Sequence, residues 1–130
     1  MIAVWLCLLL VQIPDSVKNE PVVEKRYQLA LLEAGKILEA AKDNDSKKYL
    51  EAAADLCEFA LTTIESMGKP PHKNASNYKK IELKTRDFLR RAEAIRKEAS
   101  IDDRPSLEAA FSRINAVHEK VLEGVMSKKP

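Results

Sequence analysis

The chain has 130 residues, of which 32% are charged and 5% aromatic, with three glycines and a formal net charge of +2. This length fits one domain with its own core, and the composition excludes a β-sandwich or a doubly wound sheet in favour of a helical bundle. The small net charge does not by itself indicate a nucleic-acid partner.

The first 14 residues, MIAVWLCLLLVQIP, contain an apolar run without charge from Ile2 to Val11. This run is too short to span a bilayer, which takes about 20 residues, but it has the length of a signal-peptide core. No basic residue precedes the run and no A-x-A cleavage pattern follows it. We predict a signal peptide or apolar leader over residues 1–16, cleaved between Gln12 and Lys18.

Cleavage there predicts a periplasmic or secreted mature chain without a transmembrane helix. Two alternatives stay open. In the first, the protein is cytoplasmic and its N-terminal segment is buried in the fold. In the second, the start codon has been placed too far downstream, so that the basic region of a signal peptide is missing from the sequence.

The first two predicted helices span about 21–42 and about 47–67, and their apolar residues are spaced three and four apart. Pro21 suits the first turn of helix one, and Gly68 suits the end of helix two. Gly35 lies inside helix one, where glycine costs about 1 kcal/mol relative to alanine, so we expect a neighbouring helix to approach it closely.

Helix three is predicted at about 77–99, with Asn74 or Ser76 as its cap, and helix four at about 104–126. The segment 75–99 carries eight basic and four acidic residues on the side opposite its apolar stripe. That stripe consists of Tyr78, Ile81, Thr85, Phe88, Leu89, Ala92, Ile95 and Ala99. Four helices of similar length with short connections predict an all-α, up-down-up-down four-helix bundle, a single domain over residues 17–130 that follows the apolar leader.

Neither histidine has a partner at the spacing of a metal site. His72 lies in a proline-rich connection, and Asn115 stands where a di-iron bundle would place a glutamate before His118. We therefore predict no metal, and we expect His118 to be a partly exposed surface residue beside Glu119. Carboxylates such as Glu82 are expected on solvated faces.

A bundle with a histidine on its last helix resembles the periplasmic b-type cytochromes, and this resemblance implies haem. That family also uses an axial methionine near the start of helix one, which this chain lacks, and there is no C-x-x-C-H motif. No phosphate-binding or nucleophile motif is present either. We therefore expect no cofactor and no catalytic residue, with a haem-binding bundle as an alternative.

The basic face of helix three is the candidate binding surface, formed by Lys80, Lys84 and Arg91 together with Lys73 from the preceding connection. Such a face attracts an anionic polymer, lipid head groups or an acidic protein. The nearby aromatic residues belong to the apolar stripe, which disfavours nucleic acid. The alternative interpretation is a solvated helix face balanced by the acidic helices beside it.

Ala53 and Ala60, seven apart on helix two, together with Gly35 on helix one, resemble the tetratricopeptide-type helical hairpin over about a third of the chain. This resemblance implies a groove for a peptide. Cys57 stands where that family places a bulky ring, and the period does not recur in the second half. Cys57 itself is interpreted as a small buried hydrophobic residue.

The sequence therefore predicts a small, non-enzymatic, exported helical protein with an interaction or structural role, whose partner is an unidentified protein or an anionic molecule. The alternatives are a tetratricopeptide-like peptide-binding hairpin module and a haem-type cofactor-binding bundle.

Overall fold

A computed structural model of the protein describes residues 13–41 and 46–126. Residues 1–12, most of the predicted leader, lie outside the described residues, as do 42–45 and 127–130. Within the described residues the fold consists of four long helices: α1 (Val23–Ala40), α2 (Ser46–Glu65), α3 (Ala75–Glu98) and α4 (Arg104–Met126). The predicted all-α helical bundle is thereby confirmed.

A single helical turn, Asp15–Lys18, precedes α1. Val17 from this turn is buried in the core, and Ile13 packs against the core from outside. α1 begins two residues after Pro21, and the side chain of Arg26 donates a hydrogen bond of 2.8 Å to the carbonyl of Glu20. The chain entering α1 is thus held by an apolar contact and a side-chain bond.

α2 and α4 lie side by side and run in the same direction. The guanidinium of Arg113 on α4 contacts Oε1 of Glu58 on α2 at 2.6 Å, and Nζ of Lys120 contacts Oε2 of Glu65 at 2.9 Å. Both residue numbers of these pairs rise together, which is the signature of parallel neighbours. Because α1–α2 and α3–α4 are antiparallel hairpins, the four helices alternate in direction along the chain.

The two hairpins associate mainly through α2 and α4. α1 and α3 also run parallel but contact each other much less, and within the described residues the backbones of α1 and α4 are not neighbours. The order around the bundle is therefore α1, α2, α4, α3, and the seam between α1 and α3 is the least filled of the four. This open seam positions the candidate site described below.

The core is built from the apolar stripes of all four helices, as the spacing predicted. On α3 the buried members of the stripe include Ile81, Thr85 and Ala92, whereas Leu89 is half-buried. The hydroxyl of Thr85 donates to the carbonyl of Ile81 at 2.8 Å, so this polar side chain is satisfied by its own helix. A threonine within an apolar stripe costs little when its hydroxyl is paired in this way.

A buried polar chain connects the start of α3 to α1. The hydroxyl of Tyr27 donates to Oδ1 of Asn77 at 2.6 Å, and Nδ2 of Asn77 donates to Oδ1 of Asn74 at 2.7 Å. Nδ2 of Asn74 in turn contacts Sδ of Met67 at 3.6 Å. Asn74 occupies the N-cap position of α3 without a side-chain capping bond, so the capping expected of its side chain is replaced by this tertiary role.

The close helix approach expected at Gly35 occurs at another glycine. A Cβ added to Gly35 would lie 3.5 Å from Cε1 of Phe88, which is ordinary van der Waals contact. A Cβ added to Gly124 on α4 would lie 2.5 Å from Cδ1 of Tyr78 on α3, which no fixed side chain permits. The packing of α3 against α4 requires a glycine at 124, whereas the fold does not require one at 35.

Candidate binding groove

A continuous groove follows the seam between α1 and α3. Its first section has a volume of about 460 Å³ and its second about 310 Å³, and the two sections share Leu31, Leu32 and Lys84. We call this feature the α1–α3 groove. It is lined in addition by Tyr27, Gln28, Gly35, Lys36, Glu39, Lys80, Leu83, Asp87, Phe88 and Arg91.

The walls of the α1–α3 groove include two large apolar side chains that the fold leaves in solvent. Leu32 on α1 is 53% exposed and Leu83 on α3 is 49% exposed. Leu32 follows the buried Leu31, and Leu83 follows the buried Glu82. Both leucines therefore lie beside the core-facing side of their helix and not on it. Two exposed leucines facing one trough form an apolar patch of the kind that marks an interaction site.

Basic residues border the apolar patch. Lys36, Lys80 and Lys84 are exposed and line the groove, and no carboxylate among the described residues lies within 4.0 Å of their amines. At the far end Arg91 is neutralised, because its Nε lies 3.0 Å from Oδ2 of Asp87 and its Nη1 lies 3.8 Å from Oε2 of Glu39. Uncompensated positive charge is therefore present in both sections of the groove, from Lys80 in the first, Lys36 in the second and Lys84 in both, whereas Arg91 is paired.

The structure places three of the four predicted surface residues together. Lys80 and Lys84 share the first section of the groove, and Lys84 and Arg91 share the second. Lys73 is exposed on the 3₁₀ turn Pro71–Lys73 and lines neither section. The basic face of α3 is thus one wall of a groove and not a flat patch. Leu83, the apolar residue of that wall, does not belong to the predicted apolar stripe of α3.

Glu82 was expected on a solvated face, and this expectation is wrong. Glu82 is only 3% exposed and faces α4, where its Oε2 lies 2.9 Å from Nε2 of His118. Arg86 donates to the same carboxylate through Nε at 2.8 Å and also through its second guanidinium nitrogen. Burial alone would raise the pKa of Glu82, but the bonds from His118 and Arg86 outweigh it and lower that pKa.

His118 is half-buried and bonds across to α3, whereas Glu119, its expected companion, accepts a bond from Asn115. Nε2 of His118 thus faces the carboxylate of Glu82. Within residues 13–41 and 46–126 no group of three or more metal-ligating side chains gathers. His118 and Glu82 line neither section of the α1–α3 groove, so the pair links α3 to α4 outside it.

Cys57 is fully buried on α2. Burial, with a smaller contribution from the charge of Glu58, raises the pKa of its thiol to about 12. A thiol with that pKa is protonated at neutral pH and is a poor nucleophile. Its role in the fold is that of a small apolar side chain; Cys7 lies outside the described residues.

A second depression lies where the connection between α2 and α3 meets α4, and its volume is about 660 Å³. It is lined by Gly68, Pro70, Pro71 and Tyr78, together with charged residues of α2 and α4. The ion pair between Lys120 and Glu65 crosses this region. Because Lys120 and Glu65 satisfy each other and no large aliphatic side chain in its lining is exposed, this depression offers less apolar surface to a ligand than the α1–α3 groove.

No family model, curated protein or solved structure matches this chain at a significant level. None of the helices within the described ranges is both long and apolar enough to cross a membrane.

Proposed function

We propose that the protein is a non-enzymatic interaction module that binds a segment of another protein in the α1–α3 groove. The observation that carries the proposal is the pairing of half-exposed Leu32 and Leu83 with three lysines that have no partner among the described residues. An isolated exposed leucine needs no explanation, but apolar residues from two helices that flank one trough do.

The shape of the groove favours a chain segment over a small molecule. Sites for small molecules enclose most of the ligand surface, whereas this trough is bounded by two helices and is open along its length. From Tyr27 to Glu39 it follows about 12 residues of α1, or about 18 Å at 1.5 Å per residue. Helix-in-groove binding of this length is a common mode of peptide recognition.

The architecture also supports the tetratricopeptide-like alternative at the level of helix arrangement. The α1–α2 and α3–α4 hairpins stack with their first helices adjacent and their second helices adjacent, as successive helix pairs do in α-solenoids. Ala53 and Ala60 are buried in the first hairpin, as that resemblance requires. Both interpretations predict a peptide ligand, and the α1–α3 groove is the surface on which we expect it.

Site-specific photocrosslinking in the cells that make the protein tests the proposal. A benzoylphenylalanine at position 32 should form an adduct with a partner protein, and Leu83→Gln in the same chain should abolish that adduct. The matched control carries the crosslinker at Ile101, which is 78% exposed and outside the groove. Equal adducts from positions 32 and 101, or an adduct that persists with Leu83→Gln, would show that the groove is not the binding site.

We further propose that the protein acts outside the cytoplasm. Support comes from the charge-free apolar run Ile2–Val11 alone, which has the length of a signal-peptide core. N-terminal sequencing and intact mass of the natural protein from fractionated cells test this. A chain that begins between Gln12 and Lys18 in the exported fraction is the expected result, and a cytosolic chain that begins at Met1 would refute it.

A further inference from the structure

We propose that the segment bound in the α1–α3 groove is an acidic amphipathic helix of about three turns, and that Gly35 is the point at which this helix approaches α1 most closely. The inference rests on the proposed function and adds the chemistry of the partner and the residue that selects it. Two independent features of the groove carry it: the distribution of its charges and a glycine that the fold does not need.

The charges select an acidic ligand. The amines of Lys36, Lys80 and Lys84 surround the apolar patch, and no carboxylate among the described residues lies within 4.0 Å of them. Carboxylates of a bound helix would supply the missing partners at the edge of an apolar contact, where water is partly displaced and such pairs are stronger than in open solvent. A basic or neutral helix would leave three amines partly desolvated and unpaired.

The apolar patch sets the periodicity of the ligand. Leu32 and Leu83 stand on opposite walls of the trough, with Leu31 beneath them. A helix that buries apolar side chains at spacings of three and four on one face presents a stripe to this trough and keeps its carboxylates towards the rims. The length of the groove accommodates about 12 residues of such a helix.

Gly35 supplies the second feature. It lies 12 residues into α1, lines the groove beside Phe88, and costs the helix about 1 kcal/mol relative to alanine. Its own fold gives no reason for that cost, because a Cβ there would meet Phe88 at an ordinary 3.5 Å. Gly35 and Phe88 both line the second section of the groove, so we infer that the bound helix lies against the position of this missing side chain.

Gly35 variants separate stability from binding. Gly35→Ala and Gly35→Leu should raise the melting temperature of the protein or leave it unchanged, because both residues favour a helix more than glycine does. Both should weaken peptide binding, and Gly35→Leu should do so by about tenfold or more, since its side chain fills the trough. The matched control is Ser112→Leu, which adds the same side chain to an exposed position of α4 outside the groove.

The probe is a synthetic peptide of about 12 residues, with leucines spaced three and four apart, glutamates on the flanks of that face and alanines elsewhere, stapled to hold the helix. Its twin carries lysines in place of the glutamates. Fluorescence anisotropy measures the affinity of each for the whole protein, and amide chemical shifts show which residues respond. We expect the acidic peptide to bind, to shift α1 and α3 resonances, and to lose affinity with rising salt, and we expect the lysine twin not to bind.

The outcomes distinguish this inference from the proposed function. Binding of the acidic peptide that is equal in wild type and Gly35→Leu would refute the role of Gly35, and preferential binding of the lysine twin would refute the charge assignment. If neither peptide binds while the position-32 crosslink to a partner still forms, the groove is a binding site but its occupant is not an acidic helix. Failure of both peptides and of the crosslink would remove the proposed function itself.

Discussion

The buried chain from Tyr27 through Asn77 to Asn74 gives the sharpest test of how this fold is held together. Substitution Asn77→Leu removes the acceptor of the Tyr27 hydroxyl and the donor to Oδ1 of Asn74. All three side chains are buried, so the two orphaned atoms cannot turn to water. Each unsatisfied buried group costs about 1 to 3 kcal/mol, and the added apolar area of leucine offsets part of this, so we expect a loss of about 2 to 4 kcal/mol.

Tyr27→Phe provides the other side of a double-mutant cycle. The single variant Tyr27→Phe leaves Oδ1 of Asn77 without a donor, and we expect its free energy of unfolding to fall by about 1 to 2 kcal/mol. In the Asn77→Leu background the hydroxyl has already lost its bond to Asn77, so removing it should cost less than it does in the wild type. The free energy of unfolding of the double variant should therefore exceed the additive value by about 1 to 2 kcal/mol.

Urea denaturation followed by circular dichroism measures the four free energies of unfolding in this cycle. Strict additivity, or a loss below about 0.5 kcal/mol for Asn77→Leu, would contradict the buried network. A matched control is Asn115→Leu on α4, because Asn115 makes its bond to Glu119 in solvent. We expect that variant to stay within about 0.5 kcal/mol of wild type.

Three further predictions concern other parts of the core. Because the pKa of Glu82 is lowered in the folded protein, its carboxylate stabilises the fold fully above the ordinary pKa of 4.5 and ceases to do so as the pH falls through the folded pKa. Glu82→Gln should therefore cost about 1 to 3 kcal/mol at pH 7, and urea titrations should show a cost that shrinks as the pH falls below 4.5. Cys57, with a pKa of about 12, should react with a thiol reagent at pH 8 only when urea unfolds the protein, measured in a Cys7→Ser background; fast labelling of the native protein would contradict its burial. Gly124→Ala should lower the melting temperature by several degrees because its Cβ overlaps the ring of Tyr78, and an unchanged melting temperature would show that α3 and α4 are not packed this closely.

The helices and most of the core could be predicted because spacing alone determines which side of a helix is apolar. Ile81 and Ala92 on α3 recur at helical intervals and are buried as that pattern requires. Glu82 shows the limit of the same reasoning. It is adjacent to a buried residue, and its burial is compensated by Arg86 of the same helix and by His118 of α4. The approach of His118 is contained in no local pattern.

The candidate site was predictable in part. Lys80 and Lys84 stood out as basic residues on α3, but the sequence could not show that α1, rather than solvent, lies beside them. The sequence signal for the groove is Leu83, a large apolar residue on the charged side of an amphipathic helix, matched by Leu32 on α1. An apolar residue on the wrong face of each of two helices becomes informative only once the order of helices around the bundle is known.

That order also explains why the α1–α3 groove stays open. α4 covers the apolar faces of both α2 and α3, and α1 is left with α2 as its main neighbour. Closing the seam would bury the remaining surface of Leu32 and Leu83, a gain of about 2 kcal/mol in total. It would also take Lys80 and Lys84 out of water with no carboxylate of the described residues within 4.0 Å, and the desolvation of even one unpaired amine costs several kcal/mol. The unfavourable term is the larger, so the same two lysines that would recognise an acidic ligand also keep the hairpins from closing over the site in its absence.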